Sequence, residues 1–323
     1  GFPMAVGTLG IGLAGLGVHG RRYAAHLLAG DVPRARLVAV HRRSVREGRA
    51  WAEAHDVAHR ESLDDLIADP RVNAIVSVMP PTMHPQTVVS AWQAGLPVLV
   101  EKPLGPNATA ARHAVDRCSG NGPPAMVAHT LRFNSVVRAL KRELPAIGPL
   151  HLIAIDQRFE PSGRPWLDDP AEGGLLLNTG VHGVDLMRHL TDAEIVDARA
   201  FGRKVVLERA VDLFAAVLRL EPGGILATLD NSRATSGRTG RIELVGARGQ
   251  LLADHVHHTL VRVVNRTATP IPLPEPVPTV RETLRQFVDA VLDGTPVPIP
   301  LEDGLRAVEA AERIHDAMAE EPA

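Results

Sequence analysis

The feature that most constrains this chain is Gly15-Leu16-Gly17-Val18-His19-Gly20, set directly behind an apolar run from Thr8 to Ala14. The run reads as a short buried strand, and the stretch from about His19 to Leu28 reads as a helix. A glycine turn in that setting has a specific geometry. Gly15 permits a tight turn, Gly17 lets the backbone approach a pyrophosphate, and Gly20 lets the helix pack on the strand. The N–H groups at the helix start, around Val18 and His19, then face the anion. A parallel sheet with a dinucleotide at its carboxyl edge is the expected outcome.

The following elements keep that rhythm. Arg36 to Val40, Ala74 to Met79 and Pro97 to Val100 read as strands. Ser62, with Asp65 three residues on, reads as a capped helix start, and the helix from about Pro85 to Ala94 stops at Gly95. Strands alternating with helices predict a Rossmann-type sheet covered on both faces. Beyond the Gly/Pro-rich stretch Asn121 to Pro124 the pattern changes. His151 to Glu160, Val211 to Leu220, Gly224 to Asn231, Arg241 to Val245 and Thr259 to Val264 read as strands with few helices between them. Helices are expected from about Leu176 to Leu190 and from Glu302 to Met318. Another should open on a Thr279–Glu282 capping box and stop at Gly294, with Pro270 to Pro278 an extended connector before it. The fold class is therefore α/β. A Rossmann parallel sheet occupies residues 1–123, and an α/β domain with a mostly antiparallel open sheet occupies residues 124–323.

Composition excludes several function classes. The formal net charge is −2, with no basic run long enough to track a polyanion, so no nucleic-acid partner is expected. Cys118 is the single cysteine, which rules out an intramolecular disulfide and cysteine metal clusters and fits a reducing cytoplasm. No apolar run reaches membrane-spanning length, so no membrane partner is expected. The apolar segment from Phe2 to Val18 lacks a basic leader and is read as strand and turn rather than signal peptide. Gly1-Phe2-Pro3 before Met4 is read as an appended leader.

The end of the second strand should read the adenosine ribose. An NAD-specific site usually places an acid there to accept from the 2′-hydroxyl. This chain has His41-Arg42-Arg43-Ser44 instead. Guanidinium groups pair with a 2′-phosphate that a carboxylate would repel. Arg42, Arg43 and Ser44 thus point to NADP(H), with NAD(H) the alternative.

At Val98-Leu99-Val100-Glu101-Lys102-Pro103 the chain resembles the Gfo/Idh/MocA oxidoreductases, named for glucose–fructose oxidoreductase and inositol dehydrogenase. Glu101-Lys102-Pro103 looks like that family's EKP motif. Pro80-Pro81-Thr82-Met83-His84 lies where such enzymes have a short loop after the fourth strand, and Arg132-Phe133 resembles their Arg-Phe pair. Gly173-Gly174 through Asn178, His182 and Asp185 resembles their pattern G-G-x-x-x-D-x-G-x-H-x-x-D. The likeness covers nearly the whole chain. It implies hydride transfer between a nicotinamide and a secondary alcohol or carbonyl of a sugar, cyclitol or related polyol. It also implies no metal, and a homo-oligomer, dimer or tetramer, formed through the outer face of the second sheet. Pro80, His84, Glu101 and Lys102 would then line the cofactor.

Lys102 ends an apolar strand on the ligand-binding edge of the parallel sheet, where a lysine can hydrogen-bond a hydroxyl and stabilise developing alkoxide charge. In the family the bond from this lysine to proline is often cis. Asn178, His182, Asp185 and His189 fall at i, i+4, i+7 and i+11, a polar stripe on a predicted helix that should otherwise be apolar towards a core. By the resemblance His182 is the general acid/base, with Asp185 orienting it. Arg132, Trp166, Asn178, His182 and Lys102 would contact the substrate. One departure stands out: Asn178 replaces the aspartate common in the family, and an amide cannot hold negative charge or take a proton. That leaves two rival readings open, a reductase of non-sugar carbonyls or imines and a non-catalytic NADP(H)-binding regulator.

Overall fold

The computed structural model describes residues 7–172 and 174–320. Gly173, the first of the expected glycine pair, and Gly1-Phe2-Pro3, expected to be an appended leader, lie outside the described residues. Two compact units divide the chain.

The first unit carries β1 (Leu9–Ala14), α1 (Val18–Leu28), β2 (Ala35–His41), α2 (Val45–Ala54), β3 (Ala58–Arg60), α3 (Leu63–Ala68), β4 (Ala74–Ser77), α4 (His84–Gln93), β5 (Val98–Glu101), α5 (Ala108–Arg117) and β6 (Ala125–Ala128). All six strands are parallel, in the order β3-β2-β1-β4-β5-β6. The order reverses beside β1, so the turns after β1 and β4 diverge and leave the crevice in which such sheets bind ligands. β1, β4 and β5 are buried along their whole length, as strands covered on both faces must be. Ser62 caps α3 as its sequence predicts, accepting from the Asp65 N–H at 3.0 Å while its hydroxyl donates to the Asp65 carboxylate at 2.7 Å.

The boundary between the units differs from that expected at residues 123 and 124. β6 pairs with β5 in the first sheet, which moves the first crossing to Thr130. Pro278–Leu305 also belongs to the first unit. Arg34 holds Asp289 and Asp293 of the returning helix at 2.9 and 2.6 Å, and the Val127 N–H donates to the Ile299 carbonyl at 3.0 Å.

The second unit comprises 131–277 and 306–323. Its elements are α6 (Ser135–Ile147), β7 (Leu150–Arg158), α7 (Val181–Thr191), β8 (Glu194–Arg203), β9 (Leu213–Glu221), β10 (Ile225–Ser232), β11 (Thr239–Gly246), β12 (Gly249–Asp254), β13 (Thr259–Val264) and β14 (Thr267–Pro270). After α8 (Thr279–Asp293) in the first unit come α9 (Leu301–Ala317), which begins in the first unit and ends in the second, and the short β15 (Met318–Glu320). Nine strands form one sheet, β14-β13-β12-β11-β7-β10-β9-β8-β15. Its pairs are antiparallel except β7–β10 and β8–β15. Alternate residues of β9 are buried, with Phe214, Ala216, Leu218 and Leu220 facing a core shared with α6 and α7.

The other face of this sheet is open. Phe201, Val217 and Leu226, on adjacent strands β8, β9 and β10, are 69%, 56% and 52% exposed. Among the described residues no helix is long and apolar enough to cross a membrane.

The Thr279–Glu282 capping box does not form. Pro278 is the N-cap of α8 and makes no side-chain cap hydrogen bond, while Glu282 receives the Arg285 guanidinium at 2.5 Å. The helix instead starts one residue earlier than a threonine cap would allow, and Thr283 returns its hydroxyl to the Thr279 carbonyl.

Candidate functional site

The glycine turn has the shape that its sequence predicts. Gly15 has φ +107°, and a Cβ there would stand 2.1 Å from the Val78 carbonyl oxygen, so only glycine fits. Gly15 also donates to the His41 carbonyl at 2.9 Å, and Val78 donates to the Ala14 carbonyl at 2.7 Å, which locks the turn to both neighbouring strands. A Cβ at Gly20 would stand 2.2 Å from the Gly15 carbonyl oxygen. Gly17 is the opposite case. A Cβ there meets nothing within 4 Å, and the residue caps α1 without a side-chain hydrogen bond. An open space above bare helix N–H groups fits a pyrophosphate. Val18, beside it, is 58% exposed.

His19 is drawn to the EKP strand. Its Nε2 lies 2.8 Å from Glu101 Oε1, and the Tyr23 hydroxyl donates to the same oxygen at 2.6 Å. The Lys102 N–H donates to Glu101 Oε2 at 3.1 Å. Glu101 is 5% exposed. Burial pushes this carboxyl up, but His19, Lys102 and the Tyr23 hydroxyl outweigh it and hold the group down at about 2. Burial and then Glu101 push the Tyr23 hydroxyl well above its ordinary value.

Lys102 follows β5 directly, is half-buried, and its bond to Pro103 is cis. The loop after β4 supports it. Pro80 opens a short turn that leads into α4, and buried His84 places Nδ1 2.6 Å from the Pro103 carbonyl oxygen. Burial pulls the His84 imidazole below its ordinary value, so this ring is a neutral donor fastening the backbone beside Lys102.

At the end of β2, Arg42 donates to the Leu16 carbonyl at 2.9 Å and meets Glu47 at 2.5 Å. Ser44 is the N-cap of α2 and accepts from the Glu47 N–H. Arg43 is exposed between them.

In the second unit two members of the polar stripe, Asn178 and Asp185, bond arginines on different segments. Leu176–Gly180 winds as a π-turn before α7 begins at Val181, so one helical period does not run through Asn178 and His182. Asn178 Oδ1 accepts from Arg233 Nε and Nη2 at 3.2 and 2.9 Å. Asp185, buried, receives the Arg132 fork at 2.9 and 2.7 Å. Arg132, expected on the substrate, and Asp185, expected to orient His182, are thus paired with each other through one guanidinium edge. His182 lies half-buried in the first turn of α7. A Cβ at the adjacent Gly183 would stand 2.6 Å from Leu229 and 3.5 Å from Gln157 Oε1, so the helix lies hard against β7 and β10 at that point. Beneath the π-turn the Asn231 amide lies 2.9 Å from Gln157 and 3.0 Å from Thr179. His189 is held down at about 4, by burial first and then by Arg132 and Lys141, and is neutral near pH 7. Trp166 is 40% exposed, in a short turn spanning Pro165–Asp168.

Sequence reasoning passed over Tyr23 and Arg233. Tyr23 was findable: it is the only tyrosine in the chain, on the core-facing side of a predicted helix, and a buried hydroxyl needs a partner. Arg233 sits just past a predicted strand, and nothing in the spacing pairs it with Asn178.

Two family models match the chain. The oxidoreductase family with an NAD-binding Rossmann fold, GFO_IDH_MocA, matches residues 9–129, and the GFO/IDH/MocA C-terminal domain matches residues 145–252. Myo-inositol 2-dehydrogenase of Thermotoga maritima is 28% identical over 92% of this chain and 92% of its own length. Inositol 2-dehydrogenase 2 of Saccharopolyspora erythraea is 32% identical over 76% of this chain and 73% of its own. The crystal structure of scyllo-inositol dehydrogenase from Lactobacillus casei shares the fold, with a TM-score of 0.83 at 24% identity over 98% of this chain and 97% of that one.

Proposed function

Because the chain belongs to the Gfo/Idh/MocA oxidoreductase family, we propose that it moves a hydride between a nicotinamide dinucleotide, preferably NADP(H), and a secondary alcohol or carbonyl of a sugar, cyclitol or related polyol. The observation that carries this reading is the open cradle at Gly17, on the carboxyl edge of the same parallel sheet whose β5 ends in Lys102. The inositol dehydrogenases among its relatives support the substrate class.

The bound dinucleotide supplies hydride exchange. The chain's own residues do the rest. The N–H groups following Gly17 bind the pyrophosphate, with Gly15 and Gly20 shaping the turn. Exposed Arg43, with Arg42 beside it, pairs with a 2′-phosphate; no carboxylate stands at the end of β2, although Glu47 neutralises part of the Arg42 charge. Lys102 hydrogen-bonds the reacting oxygen and stabilises charge on it. His182 takes the hydroxyl proton as the carbonyl forms and returns it in the reverse direction. The Arg132–Asp185 pair braces α7, and Asn178 and Trp166 contact the substrate. The open sheet face seats a second copy of the chain, and the lone Cys118 fits a reducing cytoplasm.

Steady-state assays with polyols and ketones, each with NADP(H) and NAD(H), test the reading. In His182→Ala, turnover should fall by roughly 10²–10⁴, the usual worth of general acid–base catalysis, with cofactor affinity kept. Full activity in that variant would remove His182 from the chemistry. Tighter binding of NADH than NADPH would remove the assignment to Arg43.

A further inference from the structure

Arg233 is in an unusual electrostatic position. It is half-buried just beyond β10, and the only side chain it donates to among the described residues is Asn178, a neutral amide. Both bonds use one edge of the guanidinium, through Nε and Nη2. An amide oxygen satisfies hydrogen bonds but supplies no counter-charge. The rest of the neighbourhood does not supply it either. The Arg233 guanidinium stands 4.8 Å from the centre of the Phe159 ring, and that of Arg238 stands 5.3 Å from the same ring. Glu160, among the described residues the one carboxylate acting on Arg233, is bound by Arg238 at 2.7 Å. Arg164 adds a third positive charge. Burial first, then Arg238 and Arg164, draws the Arg233 guanidinium below its ordinary value.

Arg233 alone bonds Asn178, Arg238 shares the Phe159 ring with it, and the field of Arg164 adds to theirs, against the one carboxylate of Glu160. A half-buried cation that shares its carboxylate with a second guanidinium is costly, and the fold retains this one on a phenyl face and an amide oxygen. The arrangement is completed by an anion. The planar guanidinium edge left over, Nη1 with the second Nη2 hydrogen, matches a carboxylate or a phosphate. Asn178 lies four residues before His182 in the same π-turn and helix.

We propose that Arg233, flanked by Arg164 and Arg238, receives an anionic group of the substrate, so that this enzyme acts on an acidic polyol, a sugar carboxylate or a phosphorylated sugar or cyclitol, in preference to a neutral one. The proposal rests on the oxidoreductase reading and on His182 as its proton-transfer group.

The test is a matched panel: myo-inositol and glucose as neutral polyols, gluconate and glucuronate as carboxylates, and glucose 6-phosphate as the phosphate, with NADP(H) and NAD(H). One acidic class should show kcat/KM roughly 10–100-fold above the neutral compounds, the range expected for a charged hydrogen-bonded pair, and the advantage should shrink as salt rises. The class that gains identifies carboxylate or phosphate. Arg233→Gln should collapse the acidic-to-neutral ratio. Arg164→Gln, an exposed change that keeps the packing on Phe159, should lower the same ratio by a smaller factor and covers the case in which Arg233→Gln misfolds. Neutral polyols that match or beat the acids, with a ratio unmoved in the variants, overturn the proposal. If no compound is turned over while the cofactor binds, the oxidoreductase reading fails. Calorimetric titration of gluconate and glucose 6-phosphate then decides the anion site by itself: binding that Arg233→Gln abolishes upholds it, and no binding overturns it.

Discussion

Glu101 is a carboxylate inside a protein core, and its neighbours make that tolerable. It takes a hydroxyl from Tyr23, an imidazole nitrogen from His19 and the N–H of Lys102. Its carboxyl is held at about 2, against an ordinary value near 4.5. A depressed folded value means stabilisation that is complete above the unfolded value and lost as pH falls towards the folded one. The stability difference between the native chain and Glu101→Gln should therefore widen from about pH 2 to about pH 4.5 and stay level up to neutrality. Urea melts across that range check it; a flat difference would mean that the pairing does not form. At this scale the sequence was a partial guide. It marked Glu101, Lys102 and His182 through the family motifs they resemble, since a lysine at a strand end or a histidine on a helix is by itself as readily structural. It could not pair Asp185 with Arg132, 53 residues away, because helical spacing says nothing about partners on other elements.

Among the elements, the turn between β1 and α1 separates two kinds of glycine. Gly15 is demanded by the backbone and Gly17 by what lies outside it. Gly17→Val should leave the melting temperature nearly unchanged and weaken NADPH binding by at least roughly tenfold, since a branched side chain would fill the pyrophosphate position. Gly15→Ala should do the reverse. A clash with the Val78 carbonyl and a positive φ should cost more than about 1–3 kcal/mol of stability. Thermal melts and fluorescence titration of the same two proteins separate the effects. Four strands of the parallel half were readable as continuous apolar runs, while β3, only Ala58-His59-Arg60, and β6, beyond the expected boundary, were not. The second sheet was less so. β8 mixes charged and small residues and carries a bulge between Ile195 and Asp197, and β12 opens on Gly249-Gln250 straight out of the tight turn from β11, so neither stood out as a strand. The π-turn was invisible for a related reason: periodicity assumes a constant angular step, and Leu176–Gly180 changes it.

For the whole molecule, the open sheet face is the feature with the largest consequence for assembly. Phe201, Val217 and Leu226 are large apolar side chains left exposed on adjacent strands of that face. If it seats a second copy about a twofold axis, Val217 meets or neighbours its own symmetry mate. Val217→Glu would then bring like charges together and yield monomers by light scattering at concentrations where the native chain is oligomeric, with the monomer still folded because Val217 points away from the core. An unchanged mass would sink this use of the face. The threading of the chain reaches further. It leaves the first unit at Thr130, re-enters it at Pro278 and leaves again at Leu305. A ribosome delivering residues in order exposes β6 long before Ile299, whose carbonyl receives the Val127 N–H, and Arg34 long before the two aspartates that hold it. The nascent nucleotide-binding half must wait, partly dressed, until the intervening sheet has emerged, so its maturation is timed by translation of the other half.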